Sequence, residues 1–164
     1  MSQVIVRPAT DDDWPALWPI VEAVARAGET YAYPRDLTES AARTIWMQTP
    51  PGMTLVAVEG DHVLGSARIT PNQMGGGAHV ANGSFMVGAA ARGVGVGRQL
   101  GETALDWARN AGLRAMQFNA VVETNTTAVV LWKSLGFEIL ATVPEAFDHP
   151  TQGLIGLHIM HRQV

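Results

Sequence analysis

The chain has 164 residues, 47% hydrophobic and 16% charged, with a formal net charge of −4 and no cysteine. This balance supports one domain spanning residues 1–164 with a full core and argues against disorder. The negative charge gives no reason to expect nucleic acid or an anionic membrane as a partner. The lack of cysteine excludes disulfides, Cys-ligated zinc and thiol catalysis. The start, MSQVIVRPATDDDW, has no basic segment followed by an apolar one, and no apolar run is long enough to span a bilayer. A cytoplasmic protein is expected.

In chain order, Val4-Ile5-Val6 reads as a short strand. Thr10 caps a helix whose first turn holds Asp11, Asp12 and Asp13, where acids suit the helix dipole. Leu17, Trp18, Val21, Val24 and Ala25 recur at helical spacing, and Pro19 is expected to bend or shorten that helix. A loop from Glu29 to Pro34 carries Tyr31 and Tyr33. Thr38 caps a second helix to about Gln48. Thr54 to Val58 and His62 to Thr70 form strands around a Gly60-Asp61 turn. Gly75-Gly76-Gly77 reads as a flexible break, and His79 to Val87 as the next strand. Arg98 to Ala111 is a helix closed by Gly112. Ala115 to Val122 is a strand, Asn125 to Leu135 a helix ended by Gly136, and Phe137 to Val143 a strand. Pro144 to Gln152 reads as a loop and Gly153 to Arg162 as the last strand. The order is a mixed α/β layout with antiparallel neighbours at both ends.

The chemistry centres on the turn from Val87 to Arg98. A strand runs into Arg92-Gly93-Val94-Gly95-Val96-Gly97, and a helix follows directly. A helix start carries unpaired N–H groups and partial positive charge, so it suits an anion, and glycines let that anion approach the backbone. A pyrophosphate is the expected ligand. A P-loop would need Lys-Ser/Thr after the glycines, which is absent. A Rossmann site would need an early βαβ unit, whereas this turn lies past mid-chain behind antiparallel-looking strands.

Arg92-Gly93-Val94-Gly95-Val96-Gly97 resembles the R/Q-x-x-G-x-G/A motif of the GCN5-related N-acetyltransferase (GNAT) superfamily. The segment Asn125 to Phe137, with Ala128, Leu131, Trp132 and Gly136, is similar to its N-x-x-A-x-x-L-Y-x-x-x-G-F segment. The resemblance covers the full chain. It implies a mixed sheet of about seven strands, splayed between the fourth and fifth, with about four helices. It also implies acetyl-CoA as acyl donor, with no metal. The N–H groups from Val94 to Arg98, the flanking Arg92 and Gly93, and the helix with Asn125 and Trp132 would hold it. Its pantetheine would pair with the strand ending Phe85-Met86-Val87, and an N–H near Val87 would polarise the thioester carbonyl. Many members carry a tyrosine acid where this chain has Trp132, and an indole N–H is a very poor acid.

Asn82 and Asn119 interrupt the two strands expected to splay. They stand either as structural hydrogen-bonding groups or as donors to a substrate carboxylate. The Phe118 to Phe137 stretch is most similar to the subgroup containing the fungal proline-analogue (azetidine-2-carboxylate) acetyltransferases. That resemblance ties the asparagines, Asn119 and Asn125 among them, to the acceptor and to catalysis. Tyr31 and Tyr33 would cover the acceptor pocket. Glu123 could take a proton through water, with His79 and His149 as other bases.

The reading is therefore an acetyl-CoA-dependent N-acetyltransferase acting on a small-molecule amine, an amino acid or analogue, with a homodimer as a further expectation. Two alternatives stand beside it: a protein or peptide N-acetyltransferase, and a non-catalytic CoA-binding sensor or interaction module. An open groove between Tyr31-Tyr33 and residues 144–152 would favour peptide, and a closed cavity a small molecule.

Overall fold

The computed structural model describes residues 2–164. Seven strands form one sheet: β1 Val4–Pro8, β2 Met53–Glu59, β3 His62–Pro71, β4 Val80–Val87, β5 Ala115–Val122, β6 Glu138–His149 and β7 Gly153–Gln163. Four helices flank it: α1 Trp14–Ala27, α2 Glu39–Trp46, α3 Val96–Asn110 and α4 Thr126–Ser134. The sheet order is β1-β2-β3-β4-β5-β7-β6. Only β4 and β5 run parallel; their neighbours pair antiparallel.

Alternation along the strands builds two cores. On one face Leu55, Ala67, Ile69, Met116 and Phe118 pack against Leu100, Ala104 and Ala108 of α3 and Trp132 of α4. On the other, Val56 and Met86 pack against Trp14, Leu17 and Val21 of α1 and Ala42 and Trp46 of α2. Side-chain capping starts α2 and orders the turn that leads into α1. Thr38 Oγ1 accepts the Ala41 N–H at 3.3 Å. Before α1, Asp13 accepts the Thr10 N–H at 2.7 Å and two bonds from Arg7 at 2.8 and 2.9 Å.

Three local expectations are corrected. Pro19 lies inside an unbroken α1; its missing N–H frees only the carbonyl of Pro15, close to the solvated start of the helix. Gly75–Gly77 forms a single 3-10 turn rather than a flexible break. Residues 144–149 are not a loop: β6 runs through Pro144 to His149. The strand absorbs the proline because it is an edge, where a missing N–H faces solvent. The register also slips between Val143 and Phe147, and Glu145 takes a left-handed φ of 52° within that slip.

The parallel pair positions the site. Residues pair only at Val80–Ala115, Ala81–Met116 and Asn82–Gln117. Beyond them the strands diverge, so the C-terminal halves of β4 and β5 bound a split in the sheet.

Candidate active site

Strand parity sets what faces the split. In the antiparallel β3–β4 ladder, Asn72 N–H bonds Val80 O and Gly88 N–H bonds Leu64 O, each at 2.8 Å. With the register Thr70–Asn82, Arg68–Ser84 and Ser66–Met86 between them, the even-numbered residues of β4 spend their backbone groups on β3. Phe85 and Val87 therefore turn theirs away from β3 and into the split. Met86 does not: its backbone pairs with Ser66, and its side chain is buried in the core under α1 and α2. Of the three strand residues expected to meet pantetheine, two turn their backbone into the split, and Phe85's groups are already bonded there to Tyr31.

The floor of the split is aromatic. Phe85, Phe118, Trp132 and Phe137 form one cluster, with centroids 4.6 Å apart for Phe85–Trp132, 4.7 Å for Phe118–Trp132 and 4.4 Å for Phe118–Phe137. Trp132 is buried within it, so the ring that replaces the tyrosine is a packing group. Gly83 has to lack a side chain, because a Cβ there would lie 2.9 Å from the Phe85 ring and 3.1 Å from that of Phe118.

At the end of β4 the glycine turn divides its labour. Gly93 and Gly95 take φ of 78° and 88°, and a Cβ on either would meet nothing within 4 Å. They are exposed and look out on open space. Gly97 is different: its missing side chain makes room for Leu131 of α4, 3.2 Å from where a Cβ would stand. Val96 is buried and anchors the helix start. The first helical carbonyl to be used is that of Gly95, which accepts the Gln99 N–H at 3.1 Å, so the N–H groups of Val96, Gly97 and Arg98 have no helical partner. Val94 is exposed beside them. Arg98 bonds Glu102 at 3.2 Å and Ser134 at 2.6 Å, which holds its charge next to the turn. Arg92 is exposed, with no ion-pair partner among the described residues. Open glycines, unpaired N–H groups and two arginines fit a pyrophosphate-bearing ligand such as acetyl-CoA.

Tyr31 enters the split from the opposite face of the sheet. Its hydroxyl accepts the Phe85 N–H and donates to the Phe85 carbonyl, both at 2.7 Å. Burial pushes this phenol far above its ordinary pKa, so it stays neutral. Burial also raises the pKa of Tyr33, whose ring stacks on Tyr31 with centroids 5.6 Å apart. The two tyrosines border a cleft of about 440 Å³ whose other wall is Ala146 to Pro150. His149 lines that wall, and its Nδ1 accepts the Thr151 N–H at 3.2 Å.

The two asparagines converge on a residue that sequence reasoning passed over. Asn119 Nδ2 donates to Asn72 Oδ1 at 2.8 Å, and Asn82 Nδ2 does so at 3.4 Å. Gln117 Nε2 donates to Asn119 Oδ1 at 2.9 Å. Asn119 is exposed rather than buried, because β5 bulges at Asn119 and Ala120. The other candidates lie apart from this cluster. Asn125 caps α4, its Oδ1 accepting the Ala128 N–H at 3.4 Å. Glu123 Oε1 accepts the Gly156 N–H at 2.6 Å, which turns the carboxylate toward β7. His79 stands before β4, at the paired end away from the split, its carbonyl bonded by Arg114 N–H at 2.8 Å.

A second missed residue is Arg68, whose Nε is buried with no hydrogen-bond partner. Its signal was a lone charge between Ala67 and Ile69 in an inner strand.

Comparison with known proteins agrees with this geometry. Residues 14–137 match the model of the Acetyltransferase (GNAT) family. A GCN5-related N-acetyltransferase from Kribbella flavida superposes with a TM-score of 0.95 at 58% identity, covering 98% of each chain. The structure of yncA from Salmonella typhimurium, solved with its cofactor acetyl-CoA, has the same fold, with a TM-score of 0.83 at 24% identity over 99% of this chain and 94% of that one. The N-acetyltransferase aca1 of Schizosaccharomyces pombe is 28% identical over 134 residues, 73% of this chain; the match spans 64% of that relative's own length. With the family model covering most of its length and the split sheet in place, this chain belongs to the GNAT family of acetyltransferases.

Proposed function

We propose that the protein is an acetyl-CoA-dependent N-acetyltransferase acting on the primary or secondary amine of a small molecule, an amino acid or analogue, by direct transfer in a ternary complex. The observation that carries the reading is the split, with Val87 backbone turned into it and the glycine turn at its mouth. Bound there, acetyl-CoA supplies the activated acetyl group. The N–H groups from Val94 to Arg98 hold its pyrophosphate, with Arg92 and Arg98 adding charge. The Val87 N–H is the donor placed for negative charge developing on the acyl oxygen. Trp132 offers no acid, and water protonates the leaving thiolate, whose pKa of about 8.5 makes it a fair leaving group.

The attacking amine must be neutral, and its proton passes to water. Glu123 would relay it through Oε2, because Oε1 is committed to Gly156. The Asn72-tethered pair Asn82 and Asn119 fixes the polar wall of the acceptor site, and Asn125 fixes α4 behind it. The cleft of about 440 Å³ between the tyrosine loop and β6 has room for a small acceptor, and its open side would also admit a peptide amine. The likeness to an N-acetyltransferase over 73% of this chain supports an amine as acceptor.

The test is thiol release from acetyl-CoA across a panel of amino acids, amino-acid analogues and short peptides. Turnover with free amino acids or analogues is expected. Turnover with peptides alone would move the assignment to a peptide acetyltransferase. Acetyl-CoA binding with no turnover across the panel would make the protein a sensor.

A further inference from the structure

Arg68 is the anomaly of the acceptor face. A guanidinium carries five N–H donors and cannot be neutralised, so a protein interior normally surrounds it with acceptors. Here the Nε is wholly shielded from solvent and bonded to nothing. None of the five ion pairs among the described residues includes Arg68, nor does any side-chain hydrogen bond. Its cross-strand neighbours are Thr54 on β2 and Ser84 on β4, hydroxyl residues rather than acids. Leaving such a donor unpaired is costly, and the fold does nothing internally to relieve the cost.

Its placement is specific. Arg68 shares its face of the sheet with Ser84 and Asn82, the face that Tyr31 and Tyr33 cover. Its positive charge acts to lower the pKa of both tyrosine hydroxyls, against the larger effect of their burial. It stands one strand from the split, level with Ser84, one residue before the Phe85 that Tyr31 grips. The asparagines first suggested for carboxylate recognition have each turned an amide donor to Asn72, whereas the Arg68 donors are uncommitted.

We propose that Arg68 is the anchor for the carboxylate of the acceptor, holding an amino acid under Tyr31 and Tyr33 so that its amine is directed at the split. This rests on the reading above that the acceptor is a small carboxylate-bearing amine. A planar fork of N–H donors matches a carboxylate in a way that Lys or Gln does not. The anchor therefore separates amino acids from the corresponding amines without a carboxyl group.

The experiment compares wild type, Arg68→Gln and Arg68→Lys on the amino acid the wild type uses best and on its decarboxylated counterpart, with acetyl-CoA affinity and Tm measured in parallel. In Arg68→Gln the kcat/KM for the amino acid is expected to fall roughly 30- to 100-fold, mainly through KM, with the decarboxylated amine little changed. Acetyl-CoA affinity and Tm should hold or rise, because the guanidinium makes no bond that folding depends on. Arg68→Lys keeps the charge without the fork and should fall between the two. An Arg68→Gln enzyme that still prefers the amino acid as strongly as wild type does overturns the anchor alone. Equal loss on both substrates, with lowered Tm, makes Arg68 structural. A wild type that acetylates no carboxylate-bearing amine overturns the substrate class and the anchor with it.

Discussion

Gly95 and Gly97 are two residues apart and do unrelated work. Gly95 holds a φ that other residues resist and borders open space, while Gly97 admits Leu131 between two helices. A side chain at 95 therefore intrudes on the ligand and one at 97 on the protein. Gly95→Asp should lower acetyl-CoA affinity by at least roughly 100-fold, since it brings a like charge to a phosphate site and strains the backbone. Titration calorimetry on the folded variant checks this, and unchanged affinity would remove the turn from the donor site. Sequence could pick out these glycines, because a glycine run between a strand and a helix has few explanations. It could not sort them, because that depends on where α4 lies. Arg68 and Asn72 were hidden for the same reason: neither belongs to a motif, and each matters only through what surrounds it in space.

At the scale of elements, strands and helices were readable because their apolar periods are clean and their ends are capped by Thr38, Gly112 and Gly136. The loop expected from Pro144 to Gln152 gives way to strand at residues 144–149 because Pro144 sits on an edge strand. Proline ends an inner strand, but whether a strand is inner or outer follows from the sheet order, which a local pattern does not contain. Once β6 is known to be the edge, Pro144 and the bulge become features that discourage pairing with another chain. The β3–β4 pair is the contact on which the split depends. A Cβ at Gly65 would lie 2.7 Å from the Met86 carbonyl oxygen, and that neighbour is backbone, so it cannot rotate aside. Gly65→Ala should cost about 1–3 kcal/mol, read as a lowered urea midpoint. It should also weaken acetyl-CoA binding, because the strand that shifts carries Val87. A variant as stable as wild type would show that β4 gives way freely.

For the whole molecule, the two cores are separate: α1 and α2 cover one face and α3 and α4 the other. On the proposed function, donor recognition lies at the α3 end of the split and acceptor recognition under the α1–α2 loop. The two ends differ in how much was legible. A pyrophosphate imposes a local pattern on the chain, whereas an acceptor site is assembled from β3, β4, β5 and a distant loop. One ion pair links the N-terminal strand to the start of α1. The hydrogen bonds from Arg7 hold the Asp13 carboxyl below its ordinary pKa, against the opposing effect of burial. The folded pKa is the lower one, so this stabilisation is fully present above the unfolded value of about 3.9. It is lost as pH falls through the folded value. Stability should decline from about pH 4 downward more steeply in wild type than in Asp13→Asn, which has no proton to take up there. Thermal melts of the two proteins across that range check it, and parallel curves would mean that the pair contributes nothing.

The alternation along β4 makes this strand a built-in reporter. The amide protons of Asn82, Ser84 and Met86 are held by β3 whatever enters the molecule. Phe85's is held by a phenol from 54 residues away, and Val87's answers only to what lies in the split. In hydrogen–deuterium exchange, acetyl-CoA should therefore slow Val87 and residues 96–98 while Met86, next in sequence to Val87, keeps its rate. Neighbouring amides would then give opposite answers, which a general stiffening of the fold cannot produce. Phe85 gives a third answer: its exchange follows the Tyr31 loop, so the clock on that one amide times the opening of the acceptor side.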